Sequence, residues 1–128
     1  MEYMLIIATD RDMREPKPSE PGFEEFVGAW GDFTRELMSA GVFVDGAGLQ
    51  PVDTATTVRR TAGAEPTIID GPFAETKEQL GGYYRIEVAD LDAALEWATR
   101  VPIPAGAVEV RPIDQMPDAD GAPTPANA

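Results

Sequence analysis

The run EYMLIIAT, residues 2–9, is apolar at both parities. Successive side chains of an extended chain point to opposite faces, so Tyr3, Leu5 and Ile7 share one side and Met4, Ile6 and Ala8 the other. A strand of this kind is covered on both faces. Which parts of the chain can cover it is the question that settles the architecture.

Two segments repeat with a helical period. Between about residues 20 and 40, Phe23, Phe26, Val27, Trp30, Phe33, Leu37 and Met38 recur at three- and four-residue steps, and Gly41 follows as a stop. Gly28 and Gly31 interrupt this helix at up to about 1 kcal/mol each relative to Ala, which reads as close packing against a sheet. A second helix over 91–101 is capped by Asp90, striped by Leu91, Ala94, Leu95, Ala98 and Val101, and ended by Pro102 and Pro104.

The intervening segments are strand-like at 42–50, 54–61 and 66–69. After Gly82, Tyr84, Ile86 and Val88 alternate with Tyr83, Arg85 and Glu87. A last strand at 107–113 sets Val108 and Val110 against Glu109 and Arg111. Residues 10–19, with Pro16 and Pro18, read as an exposed loop. The Pro, Ala, Asp and Gly content from Gln115 onward predicts a flexible tail, so the domain is 1–114 and the tail 115–128.

The order β, α, several β, α, β predicts an α+β fold, an antiparallel sheet with two helices on one face. The other face then offers Met4, Ile6 and Ala8 at its centre, ringed by Arg85, Glu87, Glu109 and Arg111. A second copy packed face to face buries that centre and lets the flanking charges pair or line a cavity. A homodimer through the sheet face is the expectation; the competing reading is a loop of the same chain capping the first strand.

At 128 residues, 43% of them hydrophobic and 26% charged, the chain has the size and composition of one globular domain. Asp and Glu number 23 against 10 Lys and Arg, and the resulting charge of −13 repels phosphate backbones and anionic membranes, so neither nucleic acid nor membrane is an expected partner. The run MLIIA is too short for a signal segment or a span, and a cytoplasmic location is expected.

The absence of Cys removes disulfides, thiol nucleophiles and thiolate metal sites, and the absence of His removes the commonest base near neutral pH. No metal or cofactor is expected. The pairs Asp10 and Asp12, Asp90 and Asp92, and Asp118 and Asp120 begin like cation loops without continuing into one. GAGLQP at 46–51 lacks the third glycine and following helix of a dinucleotide loop and reads as a turn.

Candidate chemistry gathers around DGPFAETKEQLGGYY at 70–84. Asp70 opens a turn in which Pro72 holds Gly71 extended; it is either a turn former or a carboxylate fixed at the mouth of a sheet cavity, where it would serve as a base. Phe73 reads as a core or interface plug, and Glu75, Lys77 and Glu78 as a solvated surface rather than a clamp on a polar ligand. Gly81 and Gly82 allow a bulge that sets the Tyr83 hydroxyl and Arg85 guanidinium over the charged face. Arg59, Arg85 and Arg111 can grip a carboxylate or phenolate if they converge; the alternative pairs the arginines with Glu87 and Glu109 across the sheet. Trp30 and Trp97 fall on or beside helix stripes and read as core.

The stretch DGPFAETKEQLGGYYRIEVADLDAALEWATRVP, the later VEVRPI and the opening EYMLII together closely resemble the DGPF family of YCII-related proteins. The resemblance implies a ferredoxin-like α+β fold that dimerises through its sheets, as in the dimeric α/β-barrel superfamily. Most such proteins have no established reaction. A related branch includes a chlorinated-hydroquinone dehydrochlorinase with a His and Asp pair, which cannot be carried over to a chain without His. Members often lie beside or fused to extracytoplasmic-function sigma factors, which implies a regulatory setting.

Two functional expectations follow. In the first, a pocket between the sheet and a partner copy, lined by Asp70, Tyr83, Arg85, Arg111 and Arg59, binds a small anionic or phenolic molecule. If it also catalyses, the reaction is a proton transfer or elimination with Asp70 as base and arginine holding the anion. In the second, the chain is a non-catalytic regulatory module working with a sigma factor.

Overall fold

Strand β1 (Glu2–Asp10) occupies an inner position of a four-stranded sheet in the computed structural model, which describes residues 1–114, 116–117 and 123–124. It is followed by α1 (Phe23–Ser39), β2 (Phe43–Gly48), a single 3-10 turn (Val52–Thr54), β3 (Thr56–Arg59), β4 (Thr67–Asp70), β5 (Glu78–Glu87), α2 (Leu91–Ala98) and β6 (Gly106–Pro112). Two short segments, β7 (Met116–Pro117) and β8 (Pro123–Thr124), pair with each other. The tail expected from Gln115 otherwise lies outside the described residues.

The sheet order is β2-β5-β1-β6, and every neighbouring pair is antiparallel. With two helices this is the expected ferredoxin-like α+β architecture. The parity of β1 has the predicted consequence on one face: Tyr3, Leu5 and Ile7 are buried, whereas Met4, Ile6 and Ala8 are half-buried. Phe33 and Leu37 of α1, Ala94 of α2 and Val101 pack with Tyr3, Leu5, Ile7 and Ile86 in one core. Both helices therefore lie on one side of the sheet, and they touch where Phe33 meets Trp97 edge-on at 6.2 Å.

The helix stripes are narrower than their sequence pattern. Phe33 and Leu37 are buried and Trp30 packs against them, but Val27 and Met38 stand about half exposed. Those two sit one residue off the sheet-facing row, and a turn of 3.6 residues carries them to its flanks. Leu91 and Leu95 are displaced in the same way on α2. The ends behave as predicted: Gly41, at φ 74°, donates to the Met38 carbonyl at 3.0 Å while Val42 donates to Leu37 at 3.1 Å, a Schellman closure. Asp90 caps α2 by accepting from the Ala93 N–H at 2.9 Å.

Close packing does not explain the helix glycines. A Cβ at Gly28 would meet nothing within 4 Å, and one at Gly31 would approach only the flexible Arg35 side chain, at 3.5 Å. Gly28→Ala is accordingly expected to stabilise the protein by about 0.5–1 kcal/mol through reduced unfolded-chain entropy. Calorimetry checks this, and a lowered melting temperature would show that position 28 meets a surface the packing does not reveal.

The double glycine lies inside β5 rather than before it. Ile7 pairs with Gly82 and Ala8 with Leu80, so Gly81 is the extra residue of the expected bulge. Between β2 and β5, β3 and β4 form a separate hairpin in which Val58 faces Ile68. Phe73, just beyond it, is 77% exposed and plugs nothing among the described residues. Among the described residues no helix is long and apolar enough to cross a membrane.

Candidate functional site

Three residues of α1, Phe26, Trp30 and Thr34, recur every four positions and share one face of the helix. Opposite them β2 and β5 carry Gly46, Gly48 and Gly82. Large aromatic side chains facing strands without side chains leave a cavity of about 340 Å³, the size of a small-molecule site. Ile7, Thr9, Leu49 and Phe43 complete much of its apolar lining.

The glycines also let the strands come together. A Cβ on Gly82 would lie 2.6 Å from the Ala47 carbonyl oxygen, and one on Gly46 would lie 2.9 Å from the Tyr83 carbonyl and 3.0 Å from the Tyr84 ring. Residues 46–48 thus finish β2 rather than form the expected turn. At Gly48 nothing stands within 4 Å of such a Cβ.

Tyr84 is fixed from several sides. Its ring is nearly parallel to Trp30 at 6.4 Å and meets Phe33 edge-on at 5.3 Å and Phe43 at 6.3 Å. Its hydroxyl lies 2.8 Å from Thr34 Oγ1, which is itself 3.0 Å from the Trp30 carbonyl oxygen. This hydroxyl pair is a polar point on an aromatic wall.

The charge on the lining comes from Glu15, in the loop between β1 and α1. That loop is tied at both ends. Arg14 donates two bonds of 2.6 Å to Glu20, and Arg11 pairs with Glu75 at 3.0 Å while its N–H reaches the Lys77 carbonyl at 2.7 Å. The bond from Arg14 holds Glu20 below the usual carboxylate range and raises Arg14 in turn. A lowered carboxylate keeps its pairing above the ordinary range and loses it only as pH falls through the lowered value, so the tie is complete at neutral pH.

The YCII-related domain matches residues 1–117 of the chain. This protein belongs to the YCII-related family. It is also similar to an uncharacterized protein from Rhizobium meliloti (strain 1021), 45% identical over 82 residues. That match covers 62% of this chain and 65% of the relative, so the chain spans somewhat less than two thirds of the relative's length.

In this YCII-related chain the residues singled out from sequence do not converge. Tyr83 lines the cavity; Asp70, Arg59, Arg85 and Arg111 are not among its lining residues. Arg85 sits on the opposite face of the sheet, in the row of Met4 and Asp45, and donates to Glu2 at 2.9 Å and Asp45 at 3.2 Å. The Glu2 bond raises its pKa further above an already high value against the opposing effect of burial, with the charges of Asp45 and Glu2 adding to it. Below that value the guanidinium stays charged, so its own titration does not break the pair. Arg85 Nε and Asp45 Oδ1 are nonetheless buried without partners among the described residues.

Arg111 pairs with Glu109 of its own strand, and Glu87 is occupied by the Met1 amine at 2.7 Å. The arginines are thus paired on the sheet, with Glu2, Asp45 and Glu109 rather than with Glu87. Arg59 donates to the Phe73 carbonyl at 2.9 Å and fastens the turn after β4. Asp70 is exposed, sits opposite Thr56 in the hairpin and makes no side-chain hydrogen bond among the described residues. Gly71 departs from the extended expectation, with φ 102° and its N–H on the Ala55 carbonyl at 2.8 Å. Pro pushes the preceding residue toward extended backbone partly through that residue's Cβ, and glycine has none.

Trp30, Thr34 and Tyr84 were missed as site residues because their periodicity marks them only as core. A signal was present: a lone threonine within an aromatic stripe, matched across the fold by glycines at 46, 48 and 82.

Proposed function

We propose that this YCII-related protein binds a small, uncharged, ring-bearing molecule, phenolic in its simplest form, in the cavity between α1 and strands β2 and β5. The observation that carries the reading is the aromatic wall of Phe26, Trp30 and Tyr84 standing over glycine strands around about 340 Å³. The anionic half of the sequence expectation loses its support here. Among the described residues no Arg or Lys lines the cavity, Glu15 does, and the chain carries −13 overall.

Gly48→Phe tests the proposal. The added ring enters open space on a strand whose backbone accepts it, so the fold is expected to hold while affinity for naphthalene-sized neutral compounds falls at least about tenfold by calorimetric titration. Unchanged affinity in a folded variant would place the binding elsewhere.

We also propose that a second copy covers the outer face of the sheet. Met4, Ile6 and Ala8 form its apolar middle, Leu80 beside Ala8 is 53% exposed, and the charges of Arg85, Glu109 and Arg111 stand around them. Ala47 and Tyr83 share the row of Ile6 and also line the cavity. The two proposals therefore meet at one strand pair.

A further inference from the structure

The hydroxyls of Thr34 and Tyr84 have two protons to distribute, and the count is uneven. If Thr34 donates to the Trp30 carbonyl at 3.0 Å, its oxygen accepts from Tyr84 at 2.8 Å and both protons are used within the protein. The Tyr84 oxygen is then left with lone pairs and no hydrogen to give. If instead Thr34 donates to Tyr84, the bond to Trp30 is lost, and the Tyr84 hydrogen has no partner in the empty protein. The first arrangement is favoured by one hydrogen bond, and the chain of two bonds polarises cooperatively.

We infer that the cavity selects hydrogen-bond donors: neutral ring compounds bearing an O–H or N–H that bonds to the Tyr84 oxygen, in preference to equally large compounds that only accept. This rests on the cavity being the binding site. An acceptor-only ligand must reverse the hydroxyl chain and forfeit the Thr34 bond to Trp30, whereas a phenol, alcohol or amine leaves it intact. Stacking on Trp30 and edge contacts from Phe33 and Phe43 fix the Tyr84 ring, so the hydroxyl cannot turn away with it. Glu15, the acidic residue on the same lining, also accepts and does not donate when ionised.

Three probes that share one ring system test this by titration calorimetry: naphthalene, 2-naphthol and 2-acetylnaphthalene. The expected order places 2-naphthol about threefold to tenfold above naphthalene, the range of one net hydrogen bond, and 2-acetylnaphthalene no better than naphthalene. Tyr84→Phe keeps the ring and removes the hydroxyl, so it should erase the naphthol advantage over naphthalene. Thr34→Val should act differently, because it deprives Tyr84 of its acceptor and frees the hydroxyl to donate. In that variant 2-acetylnaphthalene should gain about threefold or more.

Naphthalene binding with no naphthol preference, or with a preference that survives Tyr84→Phe, overturns the inference and leaves the cavity proposal standing. A Thr34→Val variant that binds all three probes as the unaltered protein does also overturns it. No binding of any probe defeats the cavity proposal and this inference with it.

Discussion

Leu5→Ala is expected to destabilise the protein by about 3 kcal/mol, within the range of fully buried leucines truncated in a packed core. Leu5 is 0% exposed and lies between Tyr84 of β5 and Val110 of β6, so the strands on either side cannot collapse into the space left behind. The measurement is a shift in denaturation midpoint at unchanged slope, with a melting temperature about 10 °C lower. Ile6→Ala, one residue away, should cost less than half as much within a single subunit because Ile6 is only half-buried there. A Leu5→Ala cost below about 1 kcal/mol would mean that the core is not centred on this face.

The contrast between neighbours explains why so much of the fold was legible. Alternation along β1 and β5, the helix stop at Gly41 and the cap at Asp90 are local rules acting on adjacent residues, and the bulge at Gly81 follows from a glycine pair inside a strand, whereas α2 ends at Ala98, short of the expected stop at Pro102. The site was not legible because it is a relation between distant segments. Thr34 becomes notable only when Tyr84, 50 residues later, stands 2.8 Å away. Gly46 and Gly82 matter as missing side chains, and a missing side chain has meaning only beside the aromatic residue that stands over it.

The charged residues singled out from sequence lie apart from the cavity for a related reason. Arg85 and Arg111 carry recognisable chemistry, yet the sheet takes up both: register brings Arg85 to Asp45, and Arg111 meets Glu109 two residues away on its own strand. A guanidinium already shared between Glu2 and Asp45 has little left to offer a ligand. Sequence parity placed Arg85 on the right face, and that face is not the one with the cavity.

Ile6→Arg is the variant expected to separate association from folding. If a second copy covers the outer face, an arginine at its apolar middle must be buried without a partner, and association should weaken by roughly a hundredfold or more. Analytical ultracentrifugation should then show a dimer for the unaltered protein and a monomer for the variant at the same micromolar concentration, with far-ultraviolet dichroism unchanged. Each copy carries −13, so added salt should tighten the unaltered dimer by screening repulsion. Loosening by salt would instead assign the contact to its rim charges. A monomeric unaltered protein, with Ile6→Arg indistinguishable from it, would remove the second copy from the account and leave the cavity between α1 and the sheet to stand alone.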